Sequence, residues 1–258
     1  MLPELTTNLA VLRLAALGVA FPPMTDAKPL LLKISGEALR GDGQGILDAA
    51  EVERVCGEII DGSTNVPLAV VVGGGNIIRG ASLKGMTADP TVGDYMGMLA
   101  TLINALAIRD GIRRMGGGSE VVAAHTIPNV AHRYQRGQVM DWLRQGKVVV
   151  FGGGTGHPFF TTDTTAALRA AEIGAAALLK ASNVDGIYSA DPRTNPDAQR
   201  FESLTFDQAV EGRYAVMDQT AFALCRDRQV PIRVFDMTQP GAIRSALGEH
   251  PPGTLVGG

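Results

Sequence analysis

The feature that most constrains the fold is a regular alternation of short apolar runs with longer helical patterns. Six runs are predicted as strands, at residues 29–34, 68–72, 120–124, 147–151, 176–181 and 231–235. Helices are predicted at about residues 49–61, 93–114, 137–145, 162–173, 206–211 and 218–228. Because the runs are almost wholly apolar and helices separate them, they are typical of parallel strands buried on both faces. The sequence therefore predicts an α/β fold, a three-layer αβα sandwich with a mostly parallel central sheet.

No low-complexity linker or shift in composition divides the chain, so residues 27–258 are predicted as a single domain with two lobes. Residues 1–26 are predicted to be a poorly ordered extension, or the product of a start codon assigned too early, with Met24 as the true start. The apolar stretch at 8–21 contains Arg13 and is too short to span a bilayer.

Composition excludes several classes of protein. A hydrophobic fraction of 45% with 19% charged residues is globular. A net charge of −3 gives no electrostatic reason to expect nucleic acid as a partner. Cys56 and Cys225 form neither a disulfide framework nor a metal motif, and the four histidines lack metal-ligand spacing. We expect a cytoplasmic protein that binds neither nucleic acid nor a membrane.

Glycine-rich and hydroxyl-rich segments follow the predicted strands. They read "KISGEA", "GGGNIIRGA", "GGGTGHPFFTTD" and "SNVDGIYSADP". The carboxyl ends of parallel strands share one sheet edge, where ligands of open α/β folds bind. Glycine lets a phosphate approach the backbone, and a helix N-terminus favours an anion. Neither triple glycine matches the P-loop or the dinucleotide fingerprint, so a flexible turn stays open as the alternative.

Three charged side chains are candidates for phosphoryl chemistry. Lys33 lies on an otherwise apolar strand, where it could reach solvent or neutralise charge on a transferred phosphoryl group. Arg79 follows Gly75 by about one helical turn and could clamp the same group. Asp163 could cap its helix or face Lys33 and orient its ammonium group.

Two further residues point to a nucleotide. Asp94 starts a helix, so it could cap that helix or accept hydrogen bonds from two ribose hydroxyls. Tyr188 follows a predicted tight turn and could line an adenine pocket.

Six segments together resemble the bacterial uridylate (UMP) kinases of the amino-acid kinase superfamily. They read "LLLKISGEAL", "VVVGGGNIIRGA", "VGDYMGMLATLINALAIRD", "GTGHPFFTTDTTAALRAAEIGA", "ASNVDGIYSADP" and "VMDQTAFALCRDRQVPIRVFDM". The resemblance runs in order over about residues 30–255. The "VGDYMG" and "PFFTTD" segments favour UMP kinase over the glutamate, aspartate or carbamate kinases of the superfamily.

The resemblance implies ATP-dependent phosphorylation of UMP to UDP, with Mg²⁺ carried by ATP and no protein metal ligand assigned. It implies an N-terminal acceptor-binding lobe and a C-terminal ATP-binding lobe. The implied catalytic residues are Lys33, Arg79, Asp163 and Asp218. The implied ATP-binding residues are Lys33, Ser35, Gly36, Gly75, Arg79, Ser182, Tyr188 and Asp191. The implied UMP-binding residues are Gly74, Asp94, Thr155, Gly156, His157, Pro158, Phe159, Phe160, Thr161 and Thr162.

The resemblance further implies a cytoplasmic homohexamer that GTP activates and UTP inhibits. The segment that aligns with the GTP-associated loop is Gly41, Asp42, Gly43, Gln44, Gly45 and Ile46, with Arg109 as a basic residue of that site. His157 stands where family members often carry asparagine. The alternatives are an amino-acid or carbamate kinase of the same fold, and a non-catalytic nucleotide-binding or anion-binding member. The presence of Lys33, Arg79 and Asp163 together speaks against the non-catalytic alternative.

Overall fold

The computed structural model describes residues 27–41, 45–78 and 89–258. Within these ranges nine strands form one sheet in the order β4-β3-β5-β2-β1-β6-β8-β9-β7. The strands are β1 (Leu30–Ile34), β2 (Leu68–Val72), β3 (Ser119–Ala123), β4 (His132–Arg133), β5 (Val148–Gly152), β6 (Ala177–Ser182), β7 (Ser203–Leu204), β8 (Ile232–Asp236) and β9 (Thr254–Val256). Neighbouring strands are parallel except β8 and β9, which are antiparallel.

Seven α-helices accompany the sheet in the described part of the chain. They are α1 (Ala49–Gly62), α2 (Pro90–Arg114), α3 (Arg136–Arg144), α4 (Thr162–Ile173), α5 (Phe206–Glu211), α6 (Gln219–Arg228) and α7 (Ala242–Ala246), with a 3₁₀ turn at Gly36–Leu39. Helix α2 begins with Pro90 behind the cap residue Asp89, whose side chain accepts a hydrogen bond from the Thr91 amide. Proline suits a first helical position because its missing N–H would have no partner there.

The core lies on both faces of the sheet. Alternate residues of a strand point to opposite faces, so Leu31 and Leu32 enter different apolar clusters. The Leu31 cluster includes buried residues of α3, α4, α5 and α6. The Leu32 cluster includes buried residues of α1, α2 and α7. The predicted fold class, a three-layer αβα sandwich with a mostly parallel sheet, is confirmed.

Helix α2 is long and apolar enough over Thr91–Arg114 to cross a membrane, judged by length and composition alone. One side of the helix buries Leu102, Ala105 and Ile108 in the Leu32 cluster, as a core helix of a globular fold does. The other side carries the exposed apolar residues Val92, Tyr95, Leu99 and Ile103.

The six predicted strands are present, most of them shifted by one residue. Strands β4, β7 and β9 were not predicted, because two or three residues are too few for a periodic pattern. The extension predicted at residues 1–26 lies outside the described residues.

Candidate active site

Two lysines and one aspartate meet at the centre of the sheet edge. Lys33 near the end of β1 lies beside Lys180 of β6 in the parallel register. The Oδ1 atom of Asp163, in the first turn of α4, is 2.7 Å from the Lys33 Nζ and 2.6 Å from the Lys180 Nζ. We call these three side chains the Lys–Asp–Lys centre. The carboxylate therefore holds both ammonium groups at one point.

Lys180 was absent from the sequence-based candidates, although the sequence carries a signal for it. "LLKIS" at Leu31–Ser35 and "LLKAS" at Leu178–Ser182 have the same pattern. Because the two segments are adjacent parallel strands in register, equivalent positions lie side by side. A comparison of the predicted strands with one another would have paired the two lysines.

The Lys–Asp–Lys centre is strongly desolvated: its side chains are 9%, 14% and 10% exposed for Lys33, Asp163 and Lys180. Burial opposes ionisation of Asp163, but the charges of Lys33 and Lys180 outweigh it and lower the pKa of the carboxyl group. Burial and the charge of Lys33 lower the pKa of Lys180 to about 8, against the attraction of Asp163. Around neutral pH the centre thus carries surplus positive charge, which suits an anionic ligand.

A cavity of about 990 Å³ opens beside the two lysines. Five of the predicted ATP-binding residues line it, namely Lys33, Ser35, Ser182, Tyr188 and Asp191. Its volume is at the upper end of the range for small-molecule sites, and parallel α/β sheets place such sites at this edge. The cavity is large enough for a nucleoside triphosphate.

The outer wall of the cavity is the segment after β6, which local contacts hold in shape. The Tyr188 hydroxyl donates to Asp185 Oδ1 at 2.7 Å, and the Ile187 amide donates to the buried Thr254 hydroxyl of β9 at 2.9 Å. A Cβ at Gly186 would lie 2.5 Å from the Thr254 Oγ1. Glycine is therefore required at Gly186 for the segment to lie against β9.

The glycines after β1 and β2 serve close packing of one chain segment on another. A Cβ at Gly36 would lie 2.2 Å from the Asn76 Oδ1, and a Cβ at Gly74 would lie 2.9 Å from the Ala100 Cβ. Gly75 leaves more room, since an added Cβ would lie 3.7 Å from the Glu37 Oε1. The candidate Arg79 lies outside the described residues.

The segment after β5, which carries most of the predicted UMP-binding residues, has a defined backbone. Gly153, Gly154 and Gly156 have φ angles of +75°, +59° and +85°, which glycine adopts without strain. The Thr155 hydroxyl accepts a hydrogen bond from the His157 amide at 3.1 Å. These contacts favour a shaped loop over a flexible turn.

Side chains outside the loop also fix it. The His125 Nε2 is 2.9 Å from the Gly156 carbonyl oxygen, so this nitrogen carries the donated proton. The Phe159 amide donates to Asp94 Oδ2 at 2.8 Å, although Phe159 has a φ of +72° that is uncommon outside glycine. One Asp94 oxygen is thus engaged by the protein, and Oδ1 has no hydrogen-bond partner among the described residues. Phe159 and Phe160 are exposed, and Pro158 joins them to the loop.

The start of α4 is capped by Thr161, whose hydroxyl accepts hydrogen bonds from the Asp163 and Thr164 amides. The alternative that Asp163 is the helix cap is therefore wrong, and its carboxylate is free to meet the lysines. Thr162 is the first residue of α4.

The Asp218 carboxylate accepts hydrogen bonds from the hydroxyls of Thr161 and Thr164, and Oδ1 also accepts from the Ala221 amide at the start of α6. Asp218 thus ties the first turns of α4 and α6 together. It adjoins the loop that leads to Asp163, and its oxygens accept hydrogen bonds from two hydroxyls and an amide.

The residues of the predicted effector site are partly described. Gly41 has a φ of +61° and lines the 990 Å³ cavity, and Ile46 is 48% exposed beyond Gly45. The Arg109 Nε is buried without a hydrogen-bond partner among the described residues. Asp42, Gly43 and Gln44 lie outside them.

Protein ligands for a metal do not cluster in the described ranges, where no three His, Cys, Asp or Glu side chains are grouped suitably. The Asp163 carboxylate is already engaged by two ammonium groups. Magnesium typically keeps several waters and binds through substrate phosphates with few protein carboxylates. This arrangement fits an ion that arrives with a nucleotide.

A mostly parallel sheet with glycine-rich loops and a cationic centre at its carboxyl edge is suited to binding and transferring a phosphoryl group. The chain belongs to the amino acid kinase family, whose family model matches residues 28–236.

Particular relatives narrow the comparison. The chain is 48% identical over 230 residues to a uridylate kinase of Bradyrhizobium sp. (strain BTAi1 / ATCC BAA-1182), covering 89% of this chain and 97% of that protein. It is similar to the crystal structure of UMP kinase from Ureaplasma parvum, with a TM-score of 0.86, 34% identity and coverage of 91% of this chain and 100% of the other. It is also similar to the UMP kinase of Bacillus anthracis, with a TM-score of 0.85, 34% identity and coverage of 92% and 97%.

Proposed function

We infer that the protein is a UMP kinase, which transfers the γ-phosphoryl group of ATP to UMP and yields UDP and ADP in pyrimidine nucleotide biosynthesis. The observation that carries this function is the Lys–Asp–Lys centre, in a chain 48% identical to a uridylate kinase. The centre adjoins the large cavity, and Asp163 connects it to the loop that leads from β5 into α4.

ATP would occupy the large cavity. Its base and ribose would lie against Tyr188 and the segment around Ser182 and Asp191, which line that space. Its phosphates would extend to Lys33 and Ser35, with Gly36, Gly75 and Arg79 as the remaining proposed contacts. The placement is supported by the two lysines at the inner end of the cavity, because their ammonium groups attract the anionic phosphates.

UMP would occupy the loop between β5 and α4. The Oδ1 of Asp94 would accept a hydrogen bond from a ribose hydroxyl, since Oδ2 already accepts from the Phe159 amide. Gly74 and the proposed loop residues Thr155, Gly156, His157, Pro158, Phe159, Phe160, Thr161 and Thr162 would hold its base and phosphate. The left-handed glycines make backbone groups of this loop accessible to a ligand.

The reaction depends on positioning and charge. The attacking UMP phosphate oxygen is already anionic near neutral pH, so no strong general base is needed. Lys33 and Lys180 would neutralise charge that develops on the transferred group, and Asp163 would hold both ammonium groups in place. Mg²⁺ carried by ATP would supply further neutralisation of the β- and γ-phosphates. Asp218 would act as a positioning residue, because it fixes Thr161 and the start of α4.

We propose a homohexamer as the functional assembly. Along α2 the residues Val92, Tyr95, Leu99 and Ile103 recur at helical spacing and are 44–58% exposed. A hollow of about 150 Å³ with apolar walls adjoins Tyr95 and Leu99. Burial of this apolar stripe between subunits would remove it from water. Sedimentation of the wild type and of Leu99→Glu tests the stripe, and identical assemblies in both would contradict it.

Regulation and location are also proposals. GTP would activate through the segment from Gly41 to Ile46 with Arg109, and UTP would inhibit. The support is that Gly41 lines the cavity assigned to ATP, so an effector beside it could alter that site. We propose a cytoplasmic location, consistent with two buried free cysteines.

A coupled assay of ADP release with UMP, CMP, glutamate or bicarbonate with ammonia tests the proposed function. We expect turnover with UMP. Turnover only with glutamate or with bicarbonate and ammonia would support an amino-acid or carbamate kinase, and the absence of turnover with all of them would support a non-catalytic binding protein.

Lys33→Ala, with the exposed Lys28→Ala as matched control, tests the proposed chemistry. We expect Lys33→Ala to lose turnover far more than UMP affinity, because its charge acts on the transferred group. An unchanged kcat with a raised KM would contradict this role.

A further inference from the structure

Two buried asparagines hydrogen-bond to each other through their side-chain amides, next to the segments after β1 and β2. Asn104 of α2 is 0% exposed, and Asn76 in the segment after β2 is 7% exposed. The Asn104 Nδ2 donates to the Asn76 Oδ1 at 2.7 Å, and the Asn76 Nδ2 donates to the Asn104 Oδ1 at 3.1 Å. We call these two side chains the amide pair.

The outer hydrogen bonds of the amide pair go to two backbone carbonyls. The Asn104 Nδ2 donates to the Gly73 carbonyl oxygen at 2.7 Å, and the Asn76 Nδ2 donates to the Ile46 carbonyl oxygen at 2.6 Å. A carbonyl oxygen only accepts, so these contacts fix which end of each amide faces it. The pair thereby joins the segment after β2 to the segment that leads into α1.

The segment after β1 rests on the same pair. A Cβ at Gly36 would lie 2.2 Å from the Asn76 Oδ1, 2.7 Å from the Asn104 Nδ2 and 2.7 Å from the Gly73 carbonyl oxygen. Three backbone segments, at Gly36, Ile46 and Gly73, therefore meet at the amide pair, of which Asn104 is the member on α2. Leu102 and Ala105, on either side of Asn104, are buried in the core, so the base of this contact is rigid.

We propose that Asn104 is a positioning residue for phosphoryl transfer, an inference that rests on the proposed UMP kinase function. A peptide unit is planar and trans, so its carbonyl oxygen and the following N–H point in opposite directions. By holding the Gly73 carbonyl oxygen, Asn104 fixes the direction of the Gly74 N–H. Gly74 is a proposed contact of UMP, and a misplacement of about 1 Å can reduce turnover about a hundredfold.

The same pair gives the proposed effector segment a mechanical link to the phosphate loop. Displacement of the Ile46 carbonyl removes a hydrogen bond from Asn76, whose amide oxygen is bonded to Asn104. A neutral amide contributes no net charge to bound phosphates, so its influence on the reaction is exerted through backbone orientation. Loss of the pair should therefore affect the alignment of both substrates.

Asn104→Ala tests the proposal, with Ser119→Ala as matched control. Ser119 is also buried, and its hydroxyl donates to the Arg109 carbonyl of the same helix at 2.9 Å, near the opposite edge of the sheet. We expect Asn104→Ala to lower kcat/KM for UMP at least about tenfold, whereas Ser119→Ala stays within about twofold at a comparable loss of stability in urea. Equal kinetic losses in the two variants, or no loss in Asn104→Ala, would overturn the proposal.

Amide hydrogen exchange separates this proposal from the proposed function. In the substrate-free protein, Asn104→Ala should accelerate exchange around Gly73 to Ile78 more than Ser119→Ala does. If exchange around Gly73 to Ile78 accelerates equally in the two variants, the positioning role is overturned, whatever substrate the wild type accepts. A wild type that is inactive with UMP contradicts only the proposed function. If Asn104→Ala does not fold, Asn76→Ala undergoes both measurements with the same expected and overturning results.

Discussion

Replacement of Lys180 by methionine should stabilise the protein and inactivate it. In the folded chain burial and the charge of Lys33 lower the pKa of Lys180 from 10.5 to about 8. Each pH unit by which the pKa falls corresponds to about 1.4 kcal/mol. Folding therefore disfavours the protonated Lys180 side chain, relative to the neutral one, by about 3 kcal/mol. Methionine has a similar reach and needs no counter-charge, while Asp163 keeps Lys33 as its partner at 2.7 Å.

The sign of the effect depends on pH. Below about pH 8 Lys180 is protonated in both states, so the wild type carries the whole penalty, and Lys180→Met should raise the free energy of unfolding by up to about 3 kcal/mol. Between about pH 8 and 10.5 only the unfolded chain binds the proton, so the wild type gains stability as pH rises and the advantage of the variant narrows.

Urea unfolding followed by circular dichroism at about pH 7, 8.5 and 10 measures this difference, with melting temperature as a second readout. At roughly 2–4 °C per kcal/mol for a chain of this size, the melting temperature near pH 7 should rise by up to about 6–12 °C. A variant less stable than the wild type near pH 7, or a difference that is the same at all three pH values, would refute the reasoning. In the same preparation kcat should fall by at least about a hundredfold, since a charge at the transferred group is lost.

Three further results are expected. The kcat/KM of the wild type should decline above about pH 8 as Lys180 loses its proton, whereas kcat should hold to higher pH because bound phosphates favour the protonated form. The variant Lys180→Arg should abolish this decline. If the decline persists in Lys180→Arg, it belongs to another group. Asp94→Ala should raise the KM for UMP at least about tenfold with little change in kcat, since a charge-assisted hydrogen bond is worth about 1.5–3 kcal/mol, and an unchanged KM would remove Asp94 from the ribose. Asp218→Ala should lower the free energy of unfolding in urea by about 2 kcal/mol and reduce turnover, because a cap and two hydroxyl contacts disappear. The control Asp48→Ala removes only the cap of α1 and should cost about 1 kcal/mol, so equal losses in the two variants would contradict the cross-link.

The long elements were predictable because their apolar patterns are local. The run at β2 and the helix at α4 coincide with their predicted bounds, since glycine, proline or a capping residue marks their ends. Strand β9 was missed because three residues carry no pattern, and its place between β8 and β7 results from pairing with distant residues.

The candidate site was predictable in its charges and unpredictable in its contacts. Lys33 and Asp163 were noticeable because a charge on an apolar strand or at a helix start calls for an explanation. The order β2-β1-β6, which places Lys180 beside Lys33, depends on long-range strand pairing. Asn104 gave no signal, because one asparagine in a helical pattern does not reveal which backbone atoms it will meet.

The unbroken hydrogen bonding between β1 and β6 has a consequence for how the protein could close around its substrates. The paired residues run from Leu30 with Ala177 to Lys33 with Lys180, directly beneath the reacting groups. A hinge that separated the two halves of the sheet at this point would have to break this ladder, which therefore fixes Lys33 and Lys180 relative to each other. Displacement of water from the bound substrates then falls to the segments after β5 and β6, which hold their shape through their own hydrogen bonds before any substrate arrives.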